Sequence, residues 1–219
     1  TPAITYGLRG IAISEFTVKG PDQDVHSGAY GGAIANPAMV LAQILSKCVG
    51  PDGKVLIPGF YDDVALLEAW EADSIEKLGF DDKEFAKELN VPRPHGEPGH
   101  STLERIWNRP TFEVNGMFGG YTGGGSKTII PASATAKISV RLVPHQNPER
   151  IRDLIIEHLK AVCPDTVRLE IADFTTSPSV LFDVTEPAFQ AAQEALRKGF
   201  GGEPVFIRCG GSIPVVSTF

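Results

Sequence analysis

The sequence contains few cysteines and no long apolar run, and both shortages limit what the chain can be. Its three cysteines, Cys48, Cys163 and Cys209, are an odd number, lie far apart and form no CxxC pair. This spacing indicates neither a disulfide framework nor a thiolate zinc site, and it favours the reducing cytoplasm as the compartment. No apolar stretch reaches the length of a membrane span, so we predict no membrane association.

The chain also has fewer basic than acidic residues. The chain has 20 lysines and arginines against 27 acidic residues, which gives a formal net charge of -7. We therefore predict no binding of nucleic acid through a general electrostatic field, although the balance leaves room for a local basic pocket. The five histidines form no HExxH or HxD pattern, so we expect no metal site within this chain.

What the chain does contain is two strand and helix units in the same order. The strand LRGIAISEFTVKG precedes the helix ANPAMVLAQILSKCVG, and the strand ATAKISVRLVP precedes the helix NPERIRDLIIEHLKAVC. Both helices open with Asn-Pro, an N-cap followed by a proline in the first turn. In ATAKISVRLVP apolar and polar residues alternate, which predicts a strand with one apolar face.

Two further segments, TFEVNGMF and TVRLEIADF, also have the composition of strands. Four strands and two helices predict an α+β fold, the ferredoxin-like split βαβ sandwich, with a four-stranded antiparallel sheet and both helices on one face. This arrangement leaves the second face and one edge of the sheet exposed. An exposed edge is a natural site for pairing with a second copy of the chain, so we predict a homodimer.

Residues 51–110 separate the first helix from the next strand. The segment predicts one acidic helix over DDVALLEAWEADSIEKLG, a shorter one over DDKEFAKELN, and then the link VPRPHGEPGH, which is rich in proline and glycine. We interpret it as a helical insertion.

The chain changes character after residue 182. TEPAFQAAQEALRKGFGG predicts a helix and PVFIR a short strand. A lone helix and strand normally complete a parallel sheet. We therefore divide the chain into residues 1–182 and residues 183–219, the second being a C-terminal fragment of an α/β domain.

Two side chains stand out as candidates for chemistry. His26 lies between a charged loop and a glycine run in DVHSGAYGGAIANP, and Arg141 lies on the polar face of its strand. The histidine is either a surface residue or part of a site whose other members lie elsewhere. The arginine is either solvated or binds a carboxylate through two hydrogen bonds. The residues alone leave both alternatives open.

The segment GYTGGGSKT imitates a phosphate-binding loop. The pattern G-x-x-x-x-G-K-[ST] requires glycine where this chain has Ser126, and the residues that follow predict a strand, whereas a phosphate loop opens a helix. The glycines are then either a flexible turn or a loop that lets the backbone approach a ligand and deliver Thr128 to it. A serine triad is not indicated, because no G-x-S-x-G occurs.

Four motifs together resemble a known family. They are DVHSGAYGGAIANP, GEPGHSTLERIWNRPT, GGGSKTIIPASATAKISVRLVP and IRCGGSIPV, in this order, and from the first to the last they span most of the chain. The pattern is similar to the dimerisation, or lid, domain of the carnosinase and aminoacylase type of zinc metallopeptidases. The long insertion favours the dipeptidase branch of that family.

The resemblance implies roles for single residues. In that family two zinc ions in a separate catalytic domain activate a water molecule. His26 would reach into the partner's active site and stabilise the oxyanion of the tetrahedral intermediate. Arg141 and Thr128 would hold the free carboxylate of a small peptide. From the catalytic-domain side, assistance would come from Ser212 and the backbone of Gly210 and Gly211.

Some features depart from the family pattern or leave its function open. Cys209 stands where such dipeptidases usually carry an acidic residue, and His100 stands where tyrosine is more familiar. The family's metal ligands would lie outside residues 1–219, so we expect this fragment alone to be inactive. The alternatives are an aminoacylase or a deacetylase of the same family, or a non-catalytic ligand-binding or assembly module on a ferredoxin-like sheet.

Overall fold

The computed structural model describes residues 2–218. Its strands are β1 (Ala3–Leu8), β2 (Gly10–Lys19), β3 (Val25–His26), β4 (Thr111–Gly119), β5 (Ile129–Ile130), β6 (Ser133–Leu142), β7 (Arg168–Ile171), β8 (Thr175–Ser177), β9 (Val180–Leu181) and β10 (Val205–Cys209). Its helices are α1 (Ser27–Tyr30), α2 (Pro37–Cys48), α3 (Ala69–Glu76), α4 (Asp82–Glu88), α5 (Thr102–Trp107), α6 (Pro148–Val162), α7 (Pro187–Phe200) and a 3-10 helix (Pro214–Thr218). No helix in this described part combines the length and the apolar character needed to cross a bilayer.

The main sheet is antiparallel and has the strand order β4-β6-β2-β7, with β8 also paired to β2. The predicted alternation of β6 explains its position in the middle. One face of this strand is at most 2% exposed, and it consists of Ala134, Ala136, Ile138, Val140 and Leu142. Arg141 and Lys137 lie on the other face. The alternating pattern thus correctly predicts which residues of β6 face the core and which face away from it.

Helices α2 and α6 pack against the apolar face of β6. The predicted Asn-Pro starts are confirmed: the Asn36 side chain accepts a hydrogen bond from the amide of Ala38 at 3.0 Å, and Asn147 accepts one from Arg150 at 2.8 Å. Each asparagine satisfies an amide that the first helical turn leaves without a partner. The buried stripes of the two helices then form the core with β2 and β6.

A second, smaller sheet joins the two ends of the chain. Strand β10 lies parallel to β1, as the tail pattern predicts, and β9 lies antiparallel on the other side of β1. Helix α7 contacts this sheet through Phe189, whose ring centroid is 6.0 Å from that of Phe206. The predicted division at residue 182 assigned β1 and β10 to different units, whereas the structure pairs them.

The insertion is less helical than its sequence predicts. The prediction of a helix over residues 62–79 is wrong for the first part of this segment, because α3 begins only at Ala69. Upstream of α3, Asp62 and Asp63 pair with Arg150 of α6 and so hold that segment against the main unit. The helix starts where Glu68 and Glu71 form a capping box.

A buried ionic cluster fastens the insertion to the second sheet. Glu71 is only 4% exposed and accepts hydrogen bonds from the Tyr6 hydroxyl of β1 and the Arg208 guanidinium of β10. Arg208 Nε also donates to the Tyr6 hydroxyl at 3.0 Å. Burial raises the pKa of Tyr6, and its bond to the Glu71 carboxylate raises that pKa further. Glu71 is therefore the one acid of α3 on which the docking of this helix depends.

Replacing Glu71 with alanine should lower the free energy of unfolding by about 3 to 5 kcal/mol, because it leaves the mostly buried Arg208 without its counter-charge. Urea denaturation of the protein measures this change. Glu76→Ala is the control, since Glu76 is exposed on the same helix and its removal should cost less than about 0.5 kcal/mol. Equal losses for the two variants would show that the cluster does not hold the insertion.

Candidate functional site

His26 and Thr128 lie together on a short ladder outside the main sheet. Strand β3 ends at His26 and pairs antiparallel with β5, which begins one residue after Thr128. The His26 Nε2 atom is 3.2 Å from the Thr128 hydroxyl, and both side chains are exposed. His26 Nδ1 accepts a hydrogen bond from the amide of Gly28 at 3.0 Å. In a neutral imidazole with an accepting Nδ1 the proton is on Nε2, so Nε2 is a donor that faces Thr128.

The residues around His26 fix its loop. The Asp24 carboxylate accepts from the amide of Ala132 at 2.9 Å, and the amide of Ser27 donates to the Thr128 carbonyl at 3.0 Å. The imidazole folds back over residue 28, where a Cβ atom would lie 2.7 Å from Cε1 of the ring. Glycine is therefore required at position 28, because any side chain there would push the imidazole away and break its hydrogen bond from the residue 28 amide.

Arg141 meets Ser212 at the other end of the sheet. Arg141 pairs in register with Ile11 of β2 and Thr111 of β4, and its Nη1 donates to the Ser212 hydroxyl at 2.8 Å. That hydroxyl in turn donates to the carbonyl of Gly10 at 3.1 Å. The glycine turn after β10 is thus bound to β6 and β2 of the main sheet, and the Arg141 side chain is half-buried at this contact.

Arg9 belongs to the same end of the sheet, and no sequence pattern indicated it. Its Nε donates to the carbonyl of Gly210 at 2.9 Å. Burial, and after it the neighbouring charge of Arg141, lowers the pKa of Arg9 to about 10. The residue follows β1 directly, and only the folding of the two chain ends onto each other places it beside the turn.

A cavity of about 660 Å³ lies next to these arginines. Its charged lining consists of Arg9, Arg105, Arg109, Arg141, Glu97 and Glu113, together with polar and apolar groups of the insertion and β4. Glu97 binds Arg109 through two hydrogen bonds of 2.8 Å each, so that pair is neutral. The lining therefore has an excess of positive charge in a chain whose net charge is -7. This is a local basic pocket of the kind that the overall charge left possible.

The structure separates the candidate residues into two pairs. His26 contacts Thr128, and Arg141 contacts Ser212, beside Gly210 and Gly211. Along β6, Arg141 lies eight residues after Ser133, about 27 Å at roughly 3.4 Å per residue. Thr128 lies a further five residues before Ser133, at the start of the ladder that carries His26. Thr128 and Arg141, which the resemblance assigned to one carboxylate, are therefore not neighbours within one chain.

The two departures from the family pattern lie near these pairs or in the insertion. The Cys209 sulfur accepts from the amide of Gly211 at 3.4 Å, so it supports the glycine turn. His100 Nδ1 is 3.6 Å from Glu104, whose side chain also closes the capping box of α5 with Ser101. The pattern S-x-x-E in GHSTLERIW is the signal by which this helix could have been predicted.

In the part of the chain that the structure describes, no three histidine, cysteine or acidic side chains lie close enough together to hold a metal ion. The described residues therefore supply no ligand set of their own, and the resemblance places the metal pair in a separate catalytic domain.

Residues 6–167 match the model of the peptidase dimerisation domain of the M20 type. The chain belongs to this family. The match includes the strands β2, β4 and β6 of the main sheet and ends just before β7; of the two pairs of candidate residues it lacks only Ser212.

Relatives of this dimerisation domain are named as dipeptidases. The chain is 33% identical over 221 residues to the Cys-Gly metallodipeptidase dug1 of Schizosaccharomyces pombe, with 100% of this chain and 46% of the relative covered. It is 31% identical over 221 residues to the human Beta-Ala-His dipeptidase, with 100% and 44% covered. The chain thus spans about half the length of the curated relatives that it matches.

Solved structures of the family have the same fold. Human carnosine dipeptidase 1 superposes with a TM-score of 0.84 at 31% identity, covering 100% of this chain and 47% of that one. The dipeptidase Dug1p of Saccharomyces cerevisiae also gives 0.84 at 31% identity, with 100% and 46% covered. The mixed α+β arrangement of this dimerisation domain is therefore that of dipeptidases of the family.

Replacing Gly28 with alanine should displace the His26 ring, because the new methyl group would lie 2.7 Å from Cε1, which is too close for two carbon atoms that are not bonded. We expect Nδ1 to lose its hydrogen bond from the residue 28 amide, which changes the ¹⁵N chemical shifts of the imidazole. Gly124→Ala is the matched control, since a Cβ there would meet nothing within 4 Å. An unchanged His26 spectrum in Gly28→Ala would contradict the close approach.

Proposed function

We propose that this chain is the dimerisation and substrate-capping domain of a metal-dependent dipeptidase, and that each active site uses residues of two subunits. The printed names of the relatives, metallodipeptidase and dipeptidase, support the reaction class. The separation of the two residue pairs is the observation that supports the sharing of a site.

A dipeptide is too short to bridge the two pairs within one chain. Two residues extend over at most about 7 Å, whereas Ser133 and Arg141 alone are about 27 Å apart along β6. A dipeptide held by Arg141 and Ser212 of one subunit can therefore meet His26 only if His26 comes from another. In a two-fold symmetric dimer each subunit gives its His26 and Thr128 to the partner and receives the same pair in return.

The two pairs suit two different groups of a dipeptide, the terminal carboxylate and the carbonyl of the scissile bond. Arg141 offers a planar guanidinium that matches a terminal carboxylate, and the Ser212 hydroxyl lies beside it. His26 presents its Nε2–H at an exposed position, where it can stabilise the negative charge that develops on the carbonyl oxygen of the scissile bond. Thr128 orients that imidazole and moves with it, so we assign it to the partner's side of the site.

The edge of β4 is the surface that we propose for the dimer. Strand β4 pairs with β6 on one side, and its other side faces no strand of residues 2–218. Val114, Met117 and Phe118 of this edge are 41%, 51% and 54% exposed. Exposed apolar residues on an unpaired edge are typical of a surface that pairs with another chain.

We also propose a fold class for the main unit and a division of the chain into two units. The order β4-β6-β2-β7 with helices α2 and α6 supports a ferredoxin-like split βαβ class for the main unit. The pairing of β1 with β9 and β10 supports placing both chain ends in the second unit, with the division at Arg9 and near Pro178. That second unit would belong to the domain that holds the metal, for which we propose a zinc pair bound by residues other than those described.

His26→Ala should lower the turnover of the full-length enzyme by about 100-fold or more, the usual effect of losing one oxyanion donor. Arg141→Ala should also give a poorly active enzyme, through loss of substrate binding. Mixing the two variants under conditions that exchange subunits should restore activity, because a mixed dimer has one site with both wild-type residues. With random exchange, half of the dimers are mixed, so about a quarter of the wild-type activity should return.

The mixing experiment separates a shared site from a site within one chain. Each variant exchanged with itself is the control and should regain nothing. If His26 and Arg141 act in the same subunit, the mixed dimer contains no intact site, and the absence of recovery would overturn the proposal. Subunit exchange is verified independently by mass spectrometry of differently tagged chains.

Arg141→Lys should raise the KM of free-acid dipeptides by about tenfold, since a point charge cannot reproduce the two parallel hydrogen bonds of a guanidinium. The same dipeptides with an amidated carboxyl end should be poor substrates of the wild type and should be affected little by the substitution. Steady-state kinetics on both substrate forms provides the comparison. Equal wild-type activity on the two forms would contradict carboxylate binding by Arg141.

A further inference from the structure

Arg9 occupies the junction between the two sheets. Its neighbour Leu8 is in register with Cys209 of the second sheet, and Gly10 is in register with Leu142 of the main sheet. The amide of Arg9 also donates to the carbonyl of Cys209 at 3.3 Å. The backbone of this residue is therefore fixed on both sides, and its side chain projects from a defined position.

The Arg9 guanidinium binds two carbonyl groups from different parts of the chain. Its Nε donates to Gly210 at 2.9 Å, and its Nη1 donates to Arg109, just after α5, at 3.3 Å. Gly210 is also confined from the other side, because a Cβ there would lie 2.8 Å from the carbonyl oxygen of Ile106. The glycine turn is thus held between Arg9 and α5.

Two residues further along the same turn, Ser212 meets Arg141. Arg9 therefore fixes the start of the turn, and Arg141 binds its end. A planar group that donates in two directions suits this task, whereas an ammonium group on a flexible stem does not hold one geometry. Movement of Gly210 would shift the Ser212 hydroxyl away from the guanidinium of Arg141.

Both arginines line the same cavity, and the charge of Arg141 acts on Arg9. Glu113 is the acidic residue whose charge acts on Arg9, but neither Arg9 nor Arg141 forms an ion pair with an acid of the described residues. Burial, and after it the charge of Arg141, lowers the pKa of Arg9, so the two cations repel each other in a partly desolvated place. An anion bound between them relieves this repulsion, so the pair favours a negatively charged ligand.

We propose that Arg9 is a positioning residue for the free carboxylate of the substrate. It holds the turn of Gly210 to Ser212 against Arg141, and its charge strengthens the preference for an anionic substrate end. The inference rests on the proposed function, because it deepens the role given there to Arg141 and Ser212. It extends carboxylate recognition to a residue that lies outside the four motifs of the sequence.

A positioning role and a purely structural role of Arg9 predict different kinetic effects when the residue is replaced. If Arg9 only joined the two sheets, its loss would impair every substrate to the same extent and would lower kcat as well as raise KM. If it positions the carboxylate site, its loss acts on free-acid dipeptides and mainly on KM. The ratio of kcat/KM for a free-acid dipeptide to that for its amide therefore distinguishes the two roles.

The experiment uses the full-length enzyme and two substitutions. Arg9→Lys keeps the charge and loses the planar donor, whereas Arg9→Gln keeps a planar donor and loses the charge. We expect each to raise the KM of a free-acid dipeptide about tenfold, with kcat within about threefold of the wild type and the amide unaffected. Thermal denaturation checks that each variant is folded, and either one alone suffices for the comparison. Arg152→Lys is the control, since Arg152 pairs with Asp153 on α6.

Measured beside Arg141→Lys, the outcomes separate the two proposals. A lower acid-to-amide ratio in the Arg9 variants supports the positioning role. An unchanged ratio in these variants with a lower one in Arg141→Lys overturns the role of Arg9 and leaves the proposed function intact. An unchanged ratio in all variants overturns both. An equal loss on acid and amide shows a structural role and overturns the inference.

Discussion

The pairing of β2 with β6 is the constraint on which the rest of the molecule depends. The two strands are in register without interruption from Gly10 opposite Leu142 to Lys19 opposite Ser133. A shift by one residue would turn Arg141 into the core and the apolar residues of β6 toward solvent, so burial of one face fixes the register. The same ladder sets the distance between the two ends of the sheet, and the two residue pairs lie at those ends.

The two ends of this ladder differ in their surroundings. At one end, His26 and Thr128 lie on a short exposed ladder that few contacts hold, apart from the Asp24 carboxylate and two backbone hydrogen bonds. At the other end, Arg9, Arg141 and the glycine turn lie where both sheets and α5 meet, beside a basic cavity. An exposed donor that reaches outward and an enclosed cationic pocket are complementary, and a second subunit can bring them together.

The insertion takes part in this architecture in two ways. Glu71 connects α3 to the second sheet through Tyr6 and Arg208. Farther along, the residues at the end of α5 confine Gly210 and accept a hydrogen bond from Arg9. The insertion therefore packs against the second sheet and also forms one wall of the pocket, a role that its acidic helical pattern did not indicate.

The amino-acid sequence by itself determined the elements of the main unit, namely the alternation of β6 and the Asn-Pro starts of α2 and α6. It also singled out His26 and Arg141 as candidate residues. These features are local, because a periodicity or a cap depends on residues a few positions apart. Tertiary structure alone decided that Thr128 accompanies His26, that β1 joins the tail, and that Arg9 supports the glycine turn. Those contacts join residues about 100 to 200 positions apart, and their formation depends on how complete sheets pack, which no short pattern encodes.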